Sequence, residues 1–265
     1  MPASMFGGFG QNGHGKHDPM KNGFIADQQF WKDEHDSPLL SRNGNFVNFE
    51  KHEELCDRAK GWLDKLGVAD MEVDFSRLQK QPVREALVRI FQRDADRTWV
   101  PKDEPELQKR TAVRQQIHVD NLKMTSYIID DYHQGLGYIA AFSSMFLSQP
   151  DTVRLCIALH QSEMHSKGYF QSEAEKFLSD SRVFMELVEK LDKPLHDHLV
   201  SKGVVPQMWA VKYFVGLCVH LLPFEAVFDY WELVFEHGHV FVFKFLYAFL
   251  AYFRYGFLIV FEIGI

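Results

Sequence analysis

The chain has 265 residues, 46 % of them hydrophobic and 14 % aromatic, enough apolar content to bury a substantial core in one or two domains. Its formal net charge of -7 argues against broad nucleic-acid affinity, which draws on a positive face to neutralise phosphates. The three cysteines, Cys56, Cys156 and Cys218, are far apart and form no Cys-x-x-Cys, so a disulfide framework or a zinc site is not expected.

Residues 1–23 are rich in Gly, His and Asn and hold no apolar run of signal-peptide length, and 1–45 as a whole reads as a flexible tail and lead-in. From about Asn48 the apolar spacing becomes helical. It predicts helices over Phe49 to Leu66, Pro82 to Asp94, Pro105 to His133, Gly135 to Leu147, Asp151 to Ser166 and Ser172 to Leu191. Pro206 to Leu221, Phe224 to Glu236 and His239 to Arg254 complete the series. No alternating strand pattern of useful length competes and no internal repeat is visible, so the predicted class is all-α.

The aromatic C-terminal stretch from Val240 invites a tail-anchor reading, but Lys244, Arg254 and Glu262 interrupt it. At most nine consecutive uncharged residues, 245–253, remain, against the ~20 needed to span a bilayer. A buried core helix is expected there. The 13 histidines include the close pairs His160 with His165, His196 with His198 and His237 with His239. None belongs to a His-Glu-x-x-His pattern, and no metal site is expected. No Gly-x-x-x-x-Gly-Lys-Ser/Thr phosphate loop occurs, so the chain is not expected to hold a nucleotide by itself.

Two short motifs carry the chemistry. Phe91-Gln-Arg-Asp94-Ala-Asp-Arg97-Thr98 and Tyr132-His133-Gln134-Gly135 resemble, in this order, the two signatures of TBC domains, which activate Rab GTPases. Arg58-Ala-Lys-Gly-Trp62-Leu-Asp-Lys-Leu66-Gly67 is similar to that family's opening Arg, Trp, Leu-Gly pattern. Pro206-Gln-Met-Trp209 through Tyr213-Phe214, then Leu222-Pro223-Phe224 through Trp231-Glu232 and Gly238, resemble its later helices. The likeness covers about residues 55 to 255. Departures include Phe91 where isoleucine is usual, Tyr213 for a tryptophan and Glu232 for an aspartate.

The resemblance implies a two-lobed helical domain over 46–265, with the finger-bearing lobe over about 46–165 and a second lobe over about 166–265. It also implies a GTPase-activating protein, not an enzyme in its own right, which supplies catalytic side chains in trans to a GTP-loaded Rab-type GTPase in vesicle trafficking. Arg97 is the implied arginine finger and Gln134 the implied glutamine finger, with Asp94, Tyr132 and Gly135 in support. The chemistry of the side chains agrees. A planar, permanently charged guanidinium meets two phosphate oxygens together, and a carboxamide both accepts from an attacking water and donates to a phosphate oxygen. An arginine finger is worth roughly 10³ to 10⁵ in rate, about 4 to 7 kcal/mol. No cofactor is expected, because the nucleotide and Mg²⁺ belong to the partner. No nucleic acid or integral membrane segment is expected, and the location implied is cytoplasmic, compatible with peripheral recruitment to organelle membranes. Arg84, Arg89, Arg93 and Arg97 recur near the first motif and form a candidate basic face for phosphates or an acidic switch surface. The competing readings are a TBC-like module that docks a GTPase without activating it, and a helical scaffold.

Overall fold

The computed structural model describes residues 46–47, 51–99, 105–219 and 221–254. The expectations for the tail over 1–45 and for the last residues, 255–265, lie outside them. Among the described residues the regular structure is helical, as the spacing predicts, and contains no strand. In chain order the helices are α1 (Glu53–Lys65), α2 (Phe75–Leu78), α3 (Glu85–Thr98), α4 (Pro105–Ile129), α5 (Gln134–Phe146) and α6 (Gln149–Gln161). They continue with α7 (Glu175–Leu191), α8 (Lys193–Ser201), α9 (Val211–Phe214), α10 (Phe224–His237) and α11 (His239–Tyr252).

Aromatic side chains build the centre. Trp62 of α1 is fully buried, with its ring centroid 4.8 Å from Phe228 and 4.9 Å from Trp231, both on α10, and 6.1 Å from Phe142 on α5. Phe142 in turn lies 5.0 Å from Trp231 and 5.2 Å from Phe224. Each such ring, fully buried, contributes about 1.5 to 3 kcal/mol. At the rim of this contact the Arg58 guanidinium donates to Glu232 at 2.8 Å and to Asp229 at 2.7 Å, and sits over the Phe228 ring. The opening Arg-Trp pattern and the late Trp-Glu pattern are thus two sides of one α1–α10 joint. Glu232 serves there through a carboxylate that reaches the Arg58 guanidinium.

Several boundaries differ from the predicted ones, each for a physical reason. The helix predicted through His133 ends at Ile129, because Asp130 adopts a left-handed φ of 57°. The helix predicted to start at Gly135 already starts at Gln134, so Gly135 lies inside its first turn. The helix predicted over Pro82 to Asp94 runs instead from Glu85 to Thr98, which puts Arg97 in its last turn. The single helix expected over Pro206 to Leu221 is broken into a 3-10 turn, Pro206–Met208, and the one-turn α9, followed by left-handed Leu217 (φ 43°) and Cys218 (φ 61°). From Tyr213 to Val219 every residue is buried, so this part of the stretch has no exposed face to give a periodic signal. Two helices, α2 and α8, are not among those the spacing predicts. Both carry start signals: Asp74 accepts from the Arg77 N–H, and Asp192 accepts from the Leu195 N–H ahead of a proline in the first turn.

The C-terminal helix α11 does face the core, but through one side. Val242, Leu246 and Leu250 are buried, whereas Val240 is 61 % and Tyr252 82 % exposed. Among the described residues no helix is long and apolar enough to cross a membrane.

Candidate functional site

Arg97 and Gln134 come from different helices, and each is held by polar partners of its own. On α3, Asp94 and Arg97 are one helical turn apart, and an Arg97 guanidinium N–H donates to Asp94 Oδ1. Asp94 itself is only 4 % exposed, and its second oxygen accepts from the Tyr132 hydroxyl. Tyr132 stands just before α5, its ring edge against Phe91 of α3 with centroids 4.9 Å apart. Burial first, and then the neighbouring Asp94 carboxylate, raise the Tyr132 phenol well above its usual range, so it stays a neutral donor. The Arg97 side chain remains 54 % exposed. A buried carboxylate, held by a buried phenol, therefore anchors one edge of a guanidinium whose remaining face points outward.

Gln134 is the first residue of α5, and its amide donates to the hydroxyl of Tyr138, one turn further on. Burial raises the Tyr138 phenol, while the Arg97 charge lowers it and that of Asp94 raises it again. Tyr138 thus touches the glutamine and feels the charges of Arg97 and Asp94. Sequence reading missed Tyr138, although its i, i+4 spacing from Gln134 was available.

The segment between α4 and α5 is tied down on both sides. Asp131 accepts from the Tyr132 N–H at 2.8 Å and from both the N–H and the hydroxyl of Ser172 at 2.9 Å. Arg84 donates to the Asp130 carbonyl at 3.3 Å. The Asp131 carboxyl is held below its ordinary range: burial opposes this, and the Ser172 and Tyr132 hydrogen bonds outweigh it. Gly135 has a steric reason to be glycine. A Cβ there would lie 2.4 Å from Val215 Cγ1 and 3.0 Å from the Val215 carbonyl oxygen, so α5 can approach the turn after α9 only without a side chain. Gly137 is similar, since its Cβ would lie 2.6 Å from the Tyr132 hydroxyl.

The arginines before Arg97 form a mixed surface. Arg89 pairs with Glu85 at 2.5 Å, Arg93 donates to the Arg89 carbonyl at 3.4 Å, and Gln92 holds Asp96 at 2.9 Å, all exposed. Acidic side chains are thus interleaved with the basic ones. The histidine pairs are engaged elsewhere: His165 bridges Ser162 and the Phe235 carbonyl, and the His239 ring packs 4.5 Å from that of Tyr169. Among the described residues no three His, Cys, Asp or Glu side chains gather where a metal ion could sit. All three cysteines are buried and none forms a disulfide. A groove of about 470 Å³ lies between α7 and α11, lined in part by Lys176, Asp180, Leu191, His239 and Tyr247, and none of the site residues borders it.

Comparison with known proteins bears on the family. The sequence is 24 % identical over 236 residues to the GTPase activating protein Gyp51 of Schizosaccharomyces pombe, a match covering 84 % of this chain and 21 % of that protein. It is 28 % identical over 113 residues to mouse (Mus musculus) Carabin, covering 43 % of this chain and 25 % of Carabin. It is 24 % identical over 113 residues to Drainin of Dictyostelium discoideum, covering 43 % of this chain and 26 % of Drainin. The matches thus span about a quarter or less of each relative's length. The sequence model of the Rab-GTPase-TBC domain matches residues 69–258, which include both motifs and begin just after Gly67 and the opening pattern. With the all-helical fold and both motifs inside the matched span, the chain belongs to the Rab-GTPase-TBC domain family.

Proposed function

We propose that this chain accelerates GTP hydrolysis by a Rab-type small GTPase, inserting Arg97 as an arginine finger and Gln134 as a glutamine finger in trans. The observation that carries the reading is a pair of braces on α3 and at the start of α5: the exposed Arg97 guanidinium is held by buried Asp94 and Tyr132, and the half-buried Gln134 amide by the partly buried Tyr138. Preorganised donors of this kind act where transition-state charge develops and lose little on reorganising. Both fingers sit ahead of residue 166, in the part read as the first lobe.

In this mechanism the GTPase brings the nucleotide and Mg²⁺. Arg97 leaves part of its contact with Asp94 and directs its free N–H groups to the oxygens of the transferred phosphoryl group, where negative charge spreads. Gln134 accepts from the attacking water through its carbonyl and donates through its amide toward a phosphate oxygen, taking over water positioning from the partner. Asp94 and Tyr132 keep the guanidinium near its working place, which reduces the entropy lost on assembly of the transition state. The relative named a GTPase activating protein, Gyp51, supports the same activity.

A hydrolysis screen against a panel of GTP-loaded Rabs tests the proposal. Stimulation of at least one member is expected. Binding without stimulation of any member would favour a docking module, and absence of both would favour a scaffold.

A further inference from the structure

The residue between the two family-pattern positions, His133, occupies an unusual post. It is the N-cap of α5, with extended backbone (φ -124°, ψ 141°), and its Nδ1 accepts the Gly135 N–H at 3.0 Å. N-caps are ordinarily Ser, Thr, Asp or Asn, whose oxygens accept from an orphan N–H of the first turn whatever the pH near neutrality. An imidazole can do this only when unprotonated and carrying its proton on Nε2. The residue that follows, Gln134, is the first of the helix. Its carboxamide therefore hangs from the turn that the imidazole closes.

We propose that His133 is a positioning residue for Gln134, holding the first turn of α5 in register through its neutral Nδ1 and releasing it on protonation. The proposal rests on Gln134 being a finger, as argued above. Protonation acts twice in the same direction: it replaces the acceptor by a donor facing the Gly135 N–H, and it puts a positive charge at the positive end of the α5 dipole. The surroundings give the neutral form a defined range. Burial lowers the His133 pKa, opposed by the carboxylates of Asp131 in its own segment and Asp94 on α3. Asp94 is itself paired with Arg97, and Asp131 with Ser172 from the loop before α7. From the turn after α9 the neighbour at Gly135 is Val215, an uncharged side chain. The cap is thus intact at neutral pH and is lost only below the ordinary histidine range.

The test has two arms. In the first, stimulated hydrolysis by a responsive Rab is followed from about pH 8 down to about pH 5, with the Rab's intrinsic rate subtracted at each pH. His133→Ala should lower kcat by about 2- to 30-fold, the range a lost N-cap supports, with a smaller change in KM. His133→Asn, which caps without titrating, should recover most of that loss, and should flatten the fall that the wild type shows on acidification. In the second arm, which needs no variant, the Gly135 amide and the His133 ring nitrogens of the free protein are followed by NMR. The amide should shift with the titration of His133, and Nδ1 should be unprotonated at neutral pH. A wild type that stimulates no Rab defeats the finger reading, and positioning with it. A stimulating wild type whose kcat and pH profile are matched by His133→Ala overturns positioning alone. An Nδ1 that carries the proton at neutral pH overturns the cap.

Discussion

Replacing Tyr132 by phenylalanine separates what holds the site from what it does. The change keeps the ring against Phe91 and removes only the hydroxyl that donates to Asp94, a carboxylate 4 % exposed. A hydrogen bond to a charged group contributes about 1.5 to 3 kcal/mol, and the oxygen left behind is buried, so Tyr132→Phe should destabilise the fold by about that amount. Arg97→Ala removes the other partner of the same carboxylate, but that side chain is 54 % exposed, and such pairs are worth about 0.2 to 1 kcal/mol. Stability should therefore depend on Tyr132 more than on Arg97, whereas stimulated hydrolysis should depend on Arg97 far more than on Tyr132. Urea unfolding followed by circular dichroism measures the first quantity, read as a midpoint shift with unchanged slope, and phosphate release the second. The double variant with Asp94→Ala should show coupling of about 1 to 3 kcal/mol to Tyr132→Phe. A Tyr132→Phe protein within about 0.5 kcal/mol of wild type would refute the buried phenol–carboxylate brace.

Gly238 sits at φ 66°, ψ -156°, and a Cβ there would lie 2.4 Å from the Met164 carbonyl oxygen, so Gly238→Ala should cost about 2 kcal/mol or more in urea unfolding. His118 is fully buried and burial lowers its pKa to about 3, well under the value near 6.5 of the unfolded chain. The unfolded state alone then takes up this proton, so stability present above about pH 6.5 should be lost at about 1.4 kcal/mol per pH unit as pH falls toward 3. His118→Leu should make the dependence between about pH 7 and about pH 5 shallower, and equal slopes would contradict the burial of a neutral imidazole. A chain ending at Gly238 loses Val242, Leu246 and Leu250 and uncovers Phe214 and Tyr230, which α11 covers through Phe243 and Phe245. At about 1.5 to 3 kcal/mol per fully buried side chain it should not unfold cooperatively, which a thermal melt will show.

The parts legible in the sequence were those with a local rule behind them. Long amphipathic helices announce themselves by spacing, and Asp94 with Arg97, one turn apart, announced their pairing as well. The segment 130–133 was not legible, because its conformation depends on Ser172 and Arg84, residues distant in sequence. Gly135 read as a helix boundary for the same reason: the close approach of Val215 that requires it has no local signal. The stretch 213–219 failed differently, since burial on every side erases periodicity and the left-handed pair Leu217 and Cys218 contains no glycine. The turn is held instead by Trp231, whose indole donates to the Leu217 carbonyl at 2.9 Å. α8, by contrast, carries local start signals in Asp192 and Pro194.

The central claim is that Arg97 supplies transition-state charge stabilisation to a Rab-type GTPase, and it is tested most directly by Arg97→Lys. Single-turnover hydrolysis by a responsive GTP-loaded Rab should be measured with saturating wild-type or variant protein, after unfolding midpoints have confirmed that the variant is folded. Lysine keeps the charge but not the forked, planar donor set, so most of the roughly 10³- to 10⁵-fold contribution of an arginine finger should disappear. A folded Arg97→Lys protein that stimulates hydrolysis as fully as wild type would contradict the account.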